Sequence, residues 1–259
     1  MRVHELSPFG VEITEFDAAG ASGSDANSLV ALLAEHGVAC LRDQSIDDDQ
    51  FVAFLEQLGP LTFTAGEEPL AHQPALNFVS NVGRTTPPRS VFHTDTSYVS
   101  RPPAFTALRG VAIPEVGGET VFSNQYAAFE TLPDDLRETL AGATVQHGVT
   151  GVDPGESEAV TRHPLFRRHP ISARTALFVS TPERCSALSG MDEAESARTI
   201  AFLYEHSTRP EGLYRHRWRP GDVVIWDNRC TMHKADHSGV VGERVMHRGM
   251  VEGEVPLAA

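Results

Sequence analysis

The sequence predicts a mostly β fold with flanking helices, and three observations carry that prediction. From about residue 60 the chain runs in short apolar, β-branched segments broken by Gly and Pro, the texture of strands and turns. Two amphipathic helical patterns precede that region, and further ones interrupt it. No repeat, low-complexity tract or linker divides the chain, so residues 1–259 read as one domain. At 41% hydrophobic content it can bury a real core.

In order, residues 1–20 carry one or two short strands with Val11, Ile13 and Phe16 on the apolar side. Ser24 or Asp25 can cap a helix that runs to about His36, with Leu29, Leu32 and Leu33 as its stripe and Gly37 as its stop. Residues 38–41 form a buried strand. A second helix enters through Asp47-Asp48-Asp49 and packs through Phe51, Phe54, Leu55 and Leu58. Helix capping accounts for that acidic run without a metal.

Strands follow at 76–82, 91–98, 104–112 and 119–123, with a helix at 133–141. Residues 144–170 read as loop-rich, and 151–159 as either a lid or a plain surface loop. A strand at 175–180 and an amphipathic helix at 192–207 precede strands at 213–218 and 223–226. Arg219-Pro220-Gly221-Asp222 between the last two reads as a tight turn of hairpin type. A strand at 244–251 closes the chain. Trp218 and Trp226 belong to the core, and Arg215-His216-Arg217 reads as a solvated strand face.

Charge and composition bound the function. A formal charge of −14 argues against broad nucleic-acid or anionic-membrane binding and favours a small-molecule partner. Cys40, Cys185 and Cys230 lack metal-type or disulfide-type spacing, which points to a reducing compartment. With no apolar leader and no membrane-length apolar run, the expectation is a cytoplasmic protein, with a homo-oligomer left open.

His93-Thr94-Asp95 is the stretch with chemistry in it. On a strand the imidazole and the carboxylate share a face, as two of the three ligands of a 2-His-1-carboxylate iron site would. Alone the pair is weak, since 12 His and 14 Asp in 259 residues give about 0.65 such pairs by chance. A third ligand should come from a late strand, with His233, His237 and His247 as candidates. On the last strand Arg244 and Arg248 share one face while His247 lies on the other, which leaves His233 ahead. Two arginines on an interior face predict anionic ligands, because guanidinium forks match carboxylates. An outward pair bonded to surface acids is the plainer alternative.

These residues resemble the taurine/2,4-D dioxygenase (TauD/TfdA-like) family of Fe(II)- and 2-oxoglutarate-dependent oxygenases. The likeness runs through Leu41-Arg42-Asp43-Gln44, Leu58-Gly59-Pro60-Leu61, Ser80-Asn81-Val82, His93-Thr94-Asp95, Gly117-Gly118-Glu119-Thr120 and His169-Pro170. It is densest at Trp226-Asp227-Asn228-Arg229, then His233, then Arg244 and Arg248 at 11 and 15 residues beyond it. The resemblance implies a double-stranded β-helix, or jelly roll. It implies His93, Asp95 and His233 as iron ligands, Thr120 and Arg244 as the grip on 2-oxoglutarate, and Arg248 near the substrate's acidic group. The implied reaction uses O₂ to decarboxylate 2-oxoglutarate to succinate and to hydroxylate a small acidic substrate. Related halogenases lack the carboxylate that Asp95 supplies, so its presence favours hydroxylation or a kindred oxidation.

The likeness stops at the substrate. Thr64 stands where taurine enzymes carry a sulfonate-binding histidine, Arg89 where they carry an asparagine facing the amine, and Tyr98 where they carry phenylalanine. Taurine itself is therefore not expected. Arg89 meets either a second anionic group or solvent, and Glu67, Glu68 and His72 cannot be placed. His163 and His169 are read as structural. Competing functions are a zinc hydrolase on the same ligands, which leaves Arg244 and Thr120 unexplained, and a non-catalytic jelly-roll scaffold.

Overall fold

The computed structural model describes residues 1–83 and 90–259. It begins with β1 (Arg2–Glu5), β2 (Val11–Thr14), α1 (Gly23–His36), β3 (Val38–Leu41), α2 (Asp48–Glu56) and β4 (Leu61–Thr62). The β body continues through β5 (Asn77–Ser80), β6 (Phe105–Ala112) and β7 (Thr120–Asn124) to α3 (Gln125–Glu130) and α4 (Asp134–Thr139). Next come β8 (Thr144–Gly148), β9 (Val160–Pro164), β10 (Phe166–Arg168), β11 (Thr175–Leu177), β12 (Cys185–Leu188) and α5 (Glu193–Ser207). The chain closes with β13 (Leu213–His216), β14 (Val223–Asp227), β15 (Thr231–Ala235), β16 (Val245–Val251) and β17 (Leu257–Ala258).

One large sheet runs β1-β2-β3-β14-β6-β16-β4, with β5 also on β16, and a three-stranded sheet runs β13-β7-β15. Val38, Cys40, Leu108, Val224, Trp226 and Met246 of the large sheet pack against Phe122 and Tyr214 of the small one. This sandwich is the jelly-roll core. The other face of the large sheet carries α1 and α2: Ala39, Leu41, Val223 and Ile225 meet Leu29, Leu33, Phe51 and Phe54. β3 and β14 are thus buried on both faces, which is why β3 and residues 223–226 of β14 read as unbroken apolar runs.

Local chemistry sets the element ends. Ser22, rather than Ser24 or Asp25, is the N-cap of α1, and Asp25 is its capping-box partner, its carboxylate accepting from the Ser22 N–H at 2.9 Å. Gly37 ends the helix at φ 75°, a conformation that favours glycine. Asp47 caps α2, as the acidic run predicts.

Several expectations are corrected. Residues 91–98 are not a strand. Only His93 pairs, in a single bridge with His233, and the chain then turns, with Thr96 at φ 44°. The Thr94 backbone is taken by side chains, Ser180 Oγ on its N–H side (3.3 Å) and Arg184 donating to its carbonyl (2.7 Å), so no ladder forms there. The 219–222 turn does not join a hairpin, because β13 pairs with β7 and β14 with β3 and β6, so it carries the chain between sheets. Residues 144–170 hold β8, β9 and β10. In β8 the buried positions are Val145 and His147, and a buried histidine hides the apolar alternation. His216 is fully buried, its Nε2 3.0 Å from Asp222 Oδ2, so Arg215-His216-Arg217 is a solvated face only at its arginines.

Candidate iron and 2-oxoglutarate site

His93 and His233 exchange backbone hydrogen bonds, 2.9 and 3.0 Å, across the bridge between the 91–95 segment and β15. The two rings lie side by side with centroids 4.4 Å apart. Asp95 follows on the turn, with Oδ1 3.4 Å from His93 Nε2 and 3.9 Å from His233 Nε2. The structure thus brings together the three residues the HxD reading needs, through a bridge and a turn in place of a regular strand.

Each of the three side chains is held in place. His93 Nδ1–H donates to the Val91 carbonyl at 3.0 Å, which leaves Nε2 with its lone pair toward the cluster. His233 is oriented by packing, its ring 4.4 Å from that of Trp226. Asp95 Oδ2 accepts from Thr106 Oγ1 at 2.8 Å, Thr106 accepts from Asn228 Nδ2 at 2.8 Å, and Asn228 Oδ1 accepts from Trp226 Nε1 at 3.1 Å. Burial works against the Asp95 charge, but the flanking imidazoles and Arg248 outweigh it and hold the carboxyl far below the usual range. Burial pushes His233 down to about 3, so its ring is neutral. An anionic oxygen with two imidazole nitrogens, all within 4.8 Å of one another, fits Fe(II) with positions to spare.

Deeper in the sandwich Arg244 is buried at 1% exposure, and no carboxylate pairs with it among the described residues. Its Nε donates to the Gly118 carbonyl (2.9 Å) and Nη2 to Thr120 Oγ1 (3.3 Å). Thr120 also accepts from Trp218 Nε1 at 3.1 Å, so its own hydroxyl proton remains to be donated. Burial alone lowers Arg244 to about 10. A desolvated guanidinium without an acid beside it, next to a free hydroxyl donor, is a seat for an anion. Gly118 makes it possible: at φ 74°, its Cβ would lie 3.1 Å from Arg244 Cδ.

A cavity of about 670 Å³ opens on the cluster, lined among others by His93, Asp95, Thr64, Tyr98, Arg184 and Arg248. Thr64 is buried and bonds Thr96 Oγ1 at 2.9 Å. Tyr98 is 2% exposed, and its hydroxyl has no partner among the described residues. Arg248 points inward, as the interior reading of β16 requires, and bonds Glu67. Arg89 lies outside the described residues. Glu67 and Glu68 line the cavity, whereas His72 lies outside it on Asp48 (2.7 Å). His163 and His169 are buried hydrogen-bonding residues, the latter 3.0 Å from Asp227 Oδ2. No motif marks Thr106, which donates to Asp95, or Arg184 and Thr150, which stand on the cavity wall. Asn228 was visible inside Trp226-Asp227-Asn228-Arg229, without a hint that it steadies Asp95 through Thr106.

The family model described as "Taurine catabolism dioxygenase TauD, TfdA family" matches residues 2–250. The chain belongs to that family. A relative from Cupriavidus pinatubonensis, an "Alpha-ketoglutarate-dependent 2,4-dichlorophenoxyacetate dioxygenase", is 30% identical over 95% of this chain and 94% of its own. An "Alpha-ketoglutarate-dependent sulfate ester dioxygenase" from Pseudomonas putida is 32% identical over 89% and 81%. Among solved structures, a taurine dioxygenase from Burkholderia xenovorans superposes with a TM-score of 0.87 at 32% identity, covering 99% of this chain and 92% of that one. AAD-2, solved with Mn(II) and N-oxalylglycine, gives 0.86 at 25% identity over 98% of both chains. This TauD/TfdA-family chain is therefore a 2-oxoglutarate-dependent dioxygenase that uses Fe(II) and O₂, and the scaffold and zinc-hydrolase alternatives give way to it. Among the described residues no helix of this dioxygenase is long and apolar enough to cross a membrane.

Proposed function

We propose that His93, Asp95 and His233 hold the iron, that Arg244 and Thr120 hold the far carboxylate of 2-oxoglutarate, and that Arg248 grips the acidic group of a small organic substrate. The outcome is C–H hydroxylation, followed by cleavage where the hydroxylated carbon bears a leaving group. The observation that carries this reading is the buried, carboxylate-free Arg244 in the same sandwich as a His-Asp-His cluster that opens on a cavity. The metal and its co-substrate, when bound, supply the oxidising power. The chain supplies placement: Asp95 stays anionic, His233 presents a neutral nitrogen, and the cavity wall keeps bulk water from the reacting carbon. Arg248 Nη1, 4.0 Å from Asp95 Oδ1, would hold an acid close enough to aim a neighbouring C–H at the cluster.

The relatives named for 2,4-dichlorophenoxyacetate and for sulfate esters act on compounds that carry one acidic group, which supports an acidic substrate here. Thr64 in place of a histidine argues against taurine. Residues 1–259 act as one dioxygenase domain in this reading, supported by the family match over 2–250. A cytoplasmic setting is supported by three buried cysteines left as free thiols.

Anaerobic protein with Fe(II) and 2-oxoglutarate should develop a weak visible charge-transfer band that His93→Ala abolishes. Binding of both without a band would overturn the reading. Arg248→Ala should reduce succinate release with a panel of sulfonates, aryloxyacids, alkyl sulfates and amino acids at least 100-fold and leave the band intact. Loss of the band instead would move Arg248 to 2-oxoglutarate.

A further inference from the structure

Arg248 lines the cavity, but its guanidinium is already engaged there. Its Nη2 donates to the Glu67 carboxylate, while its Nε is buried with no partner among the described residues. Glu67 sits at the end of the 64–67 turn, whose closing bond runs from the Glu67 N–H to the Thr64 carbonyl at 3.3 Å. That turn is braced from outside. Gly66, at φ 83°, lies against the Asp153 backbone so closely that a side chain there would collide with the Asp153 carbonyl. Asp153 belongs to the 149–159 loop, whose Thr150, Gly151 and Val152 line the same cavity. Two segments distant in sequence therefore fix one carboxylate on the arginine assigned to the substrate's acid.

Resting on that assignment of Arg248, we infer that Glu67 is a specificity-determining residue, an internal anion occupying the acid's seat that a substrate must displace to bind. A carboxylate and an incoming sulfate or carboxylate use the same guanidinium donors, so they compete. Apparent affinity is reduced by the fraction of molecules whose Arg248 is free. Both side chains are shielded, at 13% exposure for Arg248 and 27% for Glu67, so solvent screens the pair only partly. Weak anions fail to displace Glu67. An acid that also fills the cavity can, and the selection falls on larger organic acids.

The test is calorimetric titration of hexyl sulfate and of 2,4-dichlorophenoxyacetate into anaerobic protein loaded with Fe(II) and 2-oxoglutarate. Wild type, Glu67→Gln, Glu67→Ala and Glu67→Gln/Arg248→Ala are compared, with the charge-transfer band as the check that each is loaded. Affinity for at least one anion should rise roughly 3- to 10-fold in both single variants and fall away in the double variant. Unchanged or weaker binding in both single variants, undetectable binding throughout included, overturns the inference. A gain that survives loss of Arg248 overturns it too, and with it the placing of the acid on Arg248. Failure of the iron and 2-oxoglutarate reading shows separately, as a missing band.

Discussion

Asp95 divides its work between its two oxygens. Oδ1 faces the imidazoles, and Oδ2 is tied to Thr106, which Asn228 and Trp226 support in turn. Thr106→Val keeps the shape of that side chain and removes the donor, leaving a buried carboxylate oxygen unmet. Fe(II) affinity should fall about 10- to 100-fold, measured by titration of the metal-free protein. An unchanged affinity would show that the Thr106 bond only fills space. Glu67 belongs to the same scale: one carboxylate, undistinguished in sequence, alters what the arginine opposite can accept.

At the scale of the element, backbone conformation at the Gly117-Gly118-Glu119-Thr120 approach to β7 shapes the grip proposed for 2-oxoglutarate. Gly117 and Gly118 both have positive φ, 73° and 74°, and Gly118 turns its carbonyl onto Arg244 Nε. Gly118→Ala strains that conformation and pushes on Arg244 Cδ and on Pro114 Cγ, which would lie 2.8 Å from the new methyl. The KM for 2-oxoglutarate should rise on the order of 10-fold, with a smaller change in the KM of the organic acid. Equal changes in both would place the damage in the fold at large and not in the co-substrate seat. β16 is legible at this scale too: its period of two put Arg244 and Arg248 on one face and His247 on the other, where a buried His247 bonds Asp48 at 2.7 Å.

Across the whole molecule, buried histidines make stability depend on pH. His163 Nε2–H donates to the Ser97 and Val99 carbonyls at 3.0 Å each, and burial pushes its pKa down to about 4 from the usual 6.5. Between those two values the unfolded chain binds the proton and the folded chain does not, so stability rises with pH through that window. The contribution is complete above about pH 6.5 and is lost as pH falls toward 4, on the order of 1–3 kcal/mol. His147, 5.3 Å ring to ring from His163, is held neutral by burial in the same way. Urea midpoints at pH 7 and pH 5 should drop less for His163→Gln than for wild type. Identical drops would remove His163 from the account.

The sequence by itself determined what depends on neighbours along the chain and on a residue's own chemistry. It set the helix stripes and the Gly37 stop, the two-sided apolar runs of β3 and β14, and the donor types that His93, Asp95 and His233 offer. It also set the alternation that put Arg244 and Arg248 on one face, while the fold turned that face inward. Tertiary structure decided what depends on pairing at long range. His93 meets His233 across 140 residues through one bridge, so no local pattern could show that the 91–98 segment turns instead of running on as a strand. His147 and His216 are polar residues buried because partners await them, which disguises β8 and places His216 in the core. Glu67 meets Arg248 across 181 residues, from a turn that lies against the Asp153 backbone. Local periodicity records which face a side chain leaves by, whereas the partner it meets is fixed only when distant strands and loops close on one another.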